Sequence, residues 1–298
     1  MATVDLSQLP QPAIIEALDF EVILAEIKQF MISKFPEEVR PAVAAALELE
    51  SEPLNIIAQA FAWRELLLRQ RINDGAAACM LSHSVSTDLD NIAGNMDTRR
   101  LVITPATDTT DAVMESDTAL RMRAQAAFDG LSVAGPTGAY EYFARSASGN
   151  VADARAVSPS PAVVVISVLS TEGDGTATPE LLMTVKDALS AEDRRPVGDR
   201  LTVQSAEIVN YNINAKLFFY PGPESEPIQN AAHDALQAWI ALQGKIGRDV
   251  ARSAIMAALH VQGVQRVELT EPATDIVISD TQAARCVTVT IAKGGTDE

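Results

Sequence analysis

Between Val209 and Phe219 the chain alternates strictly: Val209, Tyr211, Ile213, Ala215, Leu217 and Phe219, with Asn210, Asn212, Asn214 and Lys216 between them. Successive side chains of an extended chain point to opposite faces, so this pattern demands a strand with one apolar and one polar side. β-Branched and aromatic residues suit such a half-buried pleated surface. Leu201 and Val203 start a similar pattern that falters over Ala206–Ile208. The stretch Arg200–Tyr220 is therefore expected to be a strand pair, or one long strand with a bend or bulge, facing water or a partner on one side. Helical patterns at Pro179–Ser190 and Glu224–Gln243 flank it, which makes an α/β unit with a sheet core.

The N-terminal half has the other period. Residues 1–18 read as an extended arm with Pro10 and Pro12. Asp19 is placed to cap a helix whose stripe is Phe20, Ile23, Leu24, Ile27 and Met31. Pro36 interrupts it, and a second helix is expected over Pro41–Glu50, carrying Val43 and Leu47. The third, from Pro53 to about Arg71, is the unusual one. Proline is tolerated in a first turn, where its missing N–H would have no partner. Of Leu54–Leu68 only Asn55, Gln59, Arg64 and Glu65 are polar. At about 100° per residue the apolar side chains surround the axis, and a helix apolar on all sides must be covered on all sides. The N-terminal segments are few and short, which favours cover by partner chains over an ordinary core helix of a monomeric domain. Burying Phe61 or Trp63 stabilises by roughly 1.5–3 kcal/mol each.

Asp74–Ser82 continues in small residues, and Thr87–Met96 reads as a short helix opened by Thr87 or Asp88. Arg99–Thr104 reads as a short strand, and Pro105–Asp111 as the best internal linker. Ser116 is positioned to cap a helix reaching Asp129 and closed by Gly130; Pro136–Ser146 is a further helix with Tyr140, Phe143 and Ala144 inward. Strands follow at Val151–Val157 and Ala162–Leu169 around the turn Ser158–Pro161, and a turn at Gly173-Asp174-Gly175. Pro221-Gly222-Pro223 ends the central strands. A turn at Gly247–Asp249, a helix at Ser253–His260 and strands at Val264–Leu269 and Cys286–Ile291 complete the pattern, before a polar tail. The fold class is α+β: a helical N-terminal half with bundle-forming helices, then α/β units with mixed, largely antiparallel small sheets. The expected division is 1–104, a linker and helical connector at 105–150, and 151–298.

Charge and chemistry narrow the function. At 298 residues, with 47% hydrophobic and 21% charged residues, the chain is a folded protein of about two domains. Its 40 acidic against 23 basic residues give a net charge of -17, which repels nucleic-acid phosphates and fits a partner with a basic patch. Cys79 and Cys286 lie in opposite halves and form neither a disulfide framework nor a metal motif, as suits a reducing compartment. The N-terminus has no basic and apolar leader, and no apolar run approaches the ~20 residues of a membrane helix. His83, His233 and His260 sit in separate segments without a second ligand at helical spacing. Glu172–Gly175 is a turn lacking the alternating oxygen ligands of a calcium loop. Glu48, Glu50 and Glu52 point to different faces. No nucleophile elbow, P-loop or dinucleotide fingerprint is present. The residues thus propose no catalytic site, metal site or cofactor; they point to protein–protein contact. An α/β hydrolase or transferase whose residues converge only in space is the alternative, and a wall-degrading activity would need a carboxylate pair that no segment offers.

Several stretches together resemble the baseplate assembly protein J family, wedge proteins of contractile phage tails and R-type pyocins. They are Glu50–Ala78 (ESEPLNIIAQAFAWRELLLRQRINDGAAA), Thr87–Ala93, Arg100–Ala106, Glu115–Ala147, Val151–Ser170, Arg194–Ala206 and Gly247–Leu269. The likeness runs in order over nearly the whole chain. It implies a wedge of two copies with one companion baseplate protein of the protein I type. Six such wedges would ring the hub and spike, next to sheath-initiating and tail-fibre components. It implies no enzymatic activity, no nucleic acid and no membrane insertion. Assembly would occur in the bacterial host cytoplasm, with the mature protein in the baseplate of a phage tail or tail-like bacteriocin. Carried onto this chain, Leu54, Ile57, Phe61, Trp63, Arg64, Leu67 and Leu68 would form the bundle helix contact. Arg248, Ile255, Leu259, Val264 and Val267 would serve copy-to-copy contacts in the ring.

Overall fold

The alternation at Val209 is realised as one long strand, but its neighbour at Arg200 belongs to a different sheet. The computed structural model describes residues 6, 9–10, 12–132, 134–191, 194–221 and 225–296, which divide into two units, Ala2–Asp97 and Thr98–Glu298.

The first unit is helical. Helix α1 (Phe20–Lys34) starts at Asp19, whose carboxylate accepts from the amides of Glu21 and Val22. After Pro36 a single 3-10 turn (Glu37–Val39) leads into α2 (Arg40–Leu47). Arg40 turns back, donating to the carbonyls of Phe35 and Ser33 at the end of α1. Helix α3 runs Pro53–Ala78, absorbing much of the small-residue stretch expected as its continuation. Helix α4 is Ser86–Gly94; neither Thr87 nor Asp88 opens it, because Val85 occupies the cap position and makes no side-chain cap bond. Pro12–Ile15 forms a turn, with the Ile15 amide donating to the Pro12 carbonyl, whereas much of the expected extended arm (1–5, 7, 8 and 11) lies outside the described residues.

The second unit opens with a ribbon, β1 (Val102–Thr104) against β2 (Val113–Met114), so Pro105–Asp111 is part of the loop joining two paired strands. The Thr107 hydroxyl holds that loop by accepting from the amides of Thr109 and Thr110. Helix α5 (Asp117–Ala126) is capped by Ser116 and gives way to a 3-10 turn (Ala127–Leu131). Gly130 lies inside that turn. A side chain there would meet the Tyr142 ring at 2.5 Å, so close approach to a ring selects the glycine. Helix α6 (Thr137–Ala147) buries Tyr140 and Ala144, as its pattern predicts, and also Tyr142.

Strand β3 (Val151–Ser160) pairs antiparallel with β4 (Val163–Ser170). The connection tightens to Pro161-Ala162 because Ser160 already pairs with Val163, and Ala162 takes a φ of 61°. Beyond β4, Gly173 and Gly175 adopt positive φ in the expected turn. Helix α7 (Pro179–Leu189), capped by Thr178, carries the chain over to β5 (Arg200–Ser205), parallel to β4. Parallel neighbours need such a crossover. Tyr140, Ala144, Val168, Ile166, Leu181, Val185 and Leu189 make the core of this layer.

At Ala206 the chain changes sheets. The Ala206 amide still donates to Val168 in the first sheet, and the Glu207 amide donates to Thr281 beside the second. Strand β6 (Glu207–Phe219) is the middle of that second sheet. Helices α8 (Ser225–Gln243) and α9 (Arg252–Leu259) precede β7 (Val264–Glu271), which pairs antiparallel with β6; β8 (Gln282–Thr296) pairs parallel on the other side. Tyr211, Ile213, Ala215, Leu217 and Phe219 pack on Ala232 and Leu236 of α8 and on Ile255 and Leu259 of α9. Asn210, Asn212 and Lys216 face solvent. After β6, Gly222, Pro223 and Glu224 lie outside the described residues. The last strand reaches Thr296, taking up most of the expected polar tail, because parallel pairing with β6 continues through it. The fold is α+β, with helices first and small mixed sheets after.

Candidate interfaces

Helix α3 is inverted relative to an ordinary amphipathic helix. Its buried positions are Asn55, Ala58, Ala62 and Asn73, with Leu66 partly covered. Ala58 and Ala62 are 0% exposed against Ile23 and Leu24 of α1. Methyl-sized side chains let the two backbones approach closely, and the ends of this narrow face are fastened by hydrogen bonds. The Asn55 amide donates to the Leu49 carbonyl at 3.0 Å. Asn73 exchanges two bonds with the backbone of Glu16, at 2.9 and 3.1 Å. On the same side Arg69 bonds Glu65 at 2.6 Å and reaches Glu16 and Glu26.

The large apolar residues point the other way. Phe61 is 61% exposed and Trp63 55%, and Ile56, Ile57, Leu67, Leu68 and Ile72 are exposed beside them. Together they span an arc roughly 180° wide at about 100° per residue. Leu54 is half-buried and Arg64 exposed. Ile56, Arg71 and Ile72 belong to the same surface; their helical offsets from Leu68 and Arg64 could have found them. Helix α1 adds exposed Val22 and Phe30. The large apolar side chains of α3 thus lie outward, on a surface that also carries Arg64 and Arg71.

The residues expected in the ring contacts are distributed differently. Ile255, Leu259 and Val264 are core residues of the C-terminal layer, so a neighbour would meet them only through the surface they support. Val267 is half-buried, and Arg248 is exposed while donating to the Leu242 carbonyl.

The strongest polar constellation had no sequence signal. Arg123 and Glu115 form a two-pronged pair at 2.9 and 2.7 Å, each side chain 7% exposed. The pair is completed by the Arg99 carbonyl, the Ser146 hydroxyl and the Leu101 amide. Nearby, Asp153 accepts from the Ile246 amide and approaches Arg145 at 3.5 Å. Burial pushes the Lys245 ammonium down, opposed by the Asp153 charge. These groups line a cavity of only about 70 Å³ and tie loops to strands. Among the described residues no group of His, Cys, Asp or Glu is placed to hold a metal ion. His83 contacts Ser82, and His233 lies beside Asp234 and Gln237. The Glu172–Gly175 segment is a turn in which Asp174 accepts from the Thr176 amide; those bonds lower its carboxyl pKa.

The sequence matches three family domains in order. Residues 50–107 match the Baseplate J-like N-terminal domain, 132–205 the Baseplate J-like central domain, and 211–292 the Baseplate J-like protein C-terminal domain. Baseplate protein J of Escherichia phage P2 is 56% identical over 302 residues, covering 100% of both chains. A chain of the anti-feeding prophage (AFP) baseplate is 14% identical, with a TM-score of 0.41 over 62% of this chain and 47% of that one. This is a structural protein of the baseplate class. The chain belongs to the Baseplate J-like family.

Proposed function

We propose that this chain is a wedge protein of a contractile tail or phage tail-like bacteriocin, a building block and not a catalyst. In this reading 1–104 is the core-bundle region, 105–150 a connector and 151–298 the ring-forming region. A second copy and a companion of the protein I type complete the wedge, and neighbouring wedges surround the hub and spike. The observation that carries the proposal is the exposed apolar arc of α3, which runs from Trp63 on one flank to Phe61 and Ile72 on the other. Its exposure in an isolated chain is unfavourable by roughly 1.5–3 kcal/mol for each large side chain that a partner would bury. An apolar bundle of this kind stays packed, whereas the more polar contacts of the sheet layers, such as those around Arg248 and Val267, are the ones able to exchange during contraction.

The test replaces Phe61→Asp and Trp63→Asp together in the full chain and co-expresses it with the companion. Loss of co-purification, with circular dichroism unchanged, is expected. Co-purification at the wild-type level would refute the bundle assignment.

A further inference from the structure

A chain with a net charge of -17 holds a small cavity at which cations outnumber carboxylates. Around its space of about 70 Å³ stand Arg123, Arg145 and Lys245 against Glu115 and Asp153, three positive groups to two negative. They come from α5 and the residues leading into it, from α6, from β3 and from the turn after α8. Both carboxylates are already engaged. Glu115 accepts from Arg123 at 2.9 and 2.7 Å and from the Leu101 amide at 3.1 Å. Asp153 accepts from the Ile246 amide at 3.0 Å.

The other two cations are poorly served. Arg145 reaches Asp153 only at 3.5 Å, and its enclosed Nε has no hydrogen-bond partner among the described residues. There the Lys245 ammonium donates only to the Met122 thioether, a weak acceptor, at 3.6 Å. Burial does most to push the Lys245 pKa down; the Asp153 charge opposes it, and the like charges of Arg248 and Arg145 add to it.

An enclosed donor without an acceptor is unfavourable, and more so when it carries a charge. One negative charge in the cavity would balance its lining and give both cations an acceptor. A single water needs roughly 10–15 Å³ of such space, so a small polyatomic ion fits. A carboxylate suits the donors best, because its two oxygens accept together from the Nε and a terminal nitrogen of one guanidinium, or from a guanidinium and an ammonium. A doubly charged phosphate would overshoot the balance and lie against Glu115 and Asp153.

We propose that this cavity binds one small monocarboxylate, the size of formate or acetate, between Arg145 and Lys245, and that the bound ion ties the turn after α8 to α5, α6 and β3. The site goes beyond the wedge reading and does not depend on α3.

Titration calorimetry of the full chain with sodium formate, at fixed pH and ionic strength, tests it. One saturable formate per chain is expected, with a denaturation midpoint that rises as the site fills. Lys245→Met should weaken binding by at least about tenfold, whereas Lys245→Arg should retain it. Ala152→Leu, which keeps every charge but fills space at the cavity wall, should abolish it. Inorganic phosphate, titrated in parallel, should bind at least about tenfold more weakly than formate. The proposal is overturned if the wild-type chain takes up no formate saturably, if uptake survives either Lys245→Met or Ala152→Leu, or if phosphate binds as tightly.

Discussion

At the scale of single residues, a few charged groups are enclosed by the fold. The Arg123–Glu115 pair is the clearest, because Arg123 also donates to the Arg99 carbonyl and the Ser146 hydroxyl and Glu115 also accepts from the Leu101 amide. Removing one partner strands the other charge. Arg123→Ala is therefore expected to destabilise the Thr98–Glu298 unit by about 3–5 kcal/mol, read as a fall in denaturation midpoint. The half-exposed Arg155–Asp280 pair, at 3.0 Å, should contribute under about 1 kcal/mol by the same measurement. Tyrosines give a pH prediction. Burial, and for Tyr140 a hydrogen bond to Asp199, raises the phenol pKa of Tyr140 and Tyr211. A raised folded pKa means the unfolded chain ionises first, so stability is fully present below about pH 10 and declines as pH climbs towards the folded values. In an absorbance titration of the folded chain, Tyr140 and Tyr211 should ionise only above the usual phenol range, and denaturation midpoints should fall from about pH 10 upward.

At the scale of elements, α3 and β6 show why a hydrophobic pattern can be clear and its destination not. In β6 the apolar set Tyr211–Phe219 goes into the core of its own chain, and Leu217→Ala should cost about 2–5 kcal/mol because the residue is fully enclosed. In α3 the apolar set goes outward and the small set inward. Ala62→Leu should destabilise by about 1–3 kcal/mol through overpacking against α1, while Phe61→Asp, one residue earlier, should leave the melting of the isolated chain nearly unchanged. Thermal melts of the two variants would invert the usual ranking of a core alanine and a large aromatic. The continuous apolar circumference of α3 was legible from Leu54–Leu68. Which half meets α1 was not, because that choice depends on the distance between helix axes, which no spacing along one helix encodes.

At the scale of the molecule, the chain is two units, and the division falls between Asp97 and Thr98. Expressed alone, 98–298 is expected to keep its sheet circular dichroism and unfold in one cooperative transition, since its core clusters draw on its own elements only. Non-cooperative unfolding of that fragment would contradict the division. The change of sheet at Ala206 belongs to this scale as well. The faltering alternation over Ala206–Ile208 marks the place, but whether the two strands pair, or part into separate sheets, depends on β4 and β8, the partners that compete for their edges.

What the sequence by itself determined is periodicity and chemistry: helices before sheets, a strand with one wet side at Val209–Phe219, a helix without a wet side at Leu54–Leu68, and residue order recognisable as one family. These are local properties, carried by spacing along the backbone and readable without a third dimension. Tertiary structure alone decided which partners meet. It brought Arg123 to Glu115 and the carbonyl of Arg99, sent Ile255 and Leu259 inward, parted β5 from β6, and turned Phe61 and Trp63 outward. Each of those outcomes depends on which distant segment wins a shared surface, and that competition is settled only when the whole chain packs.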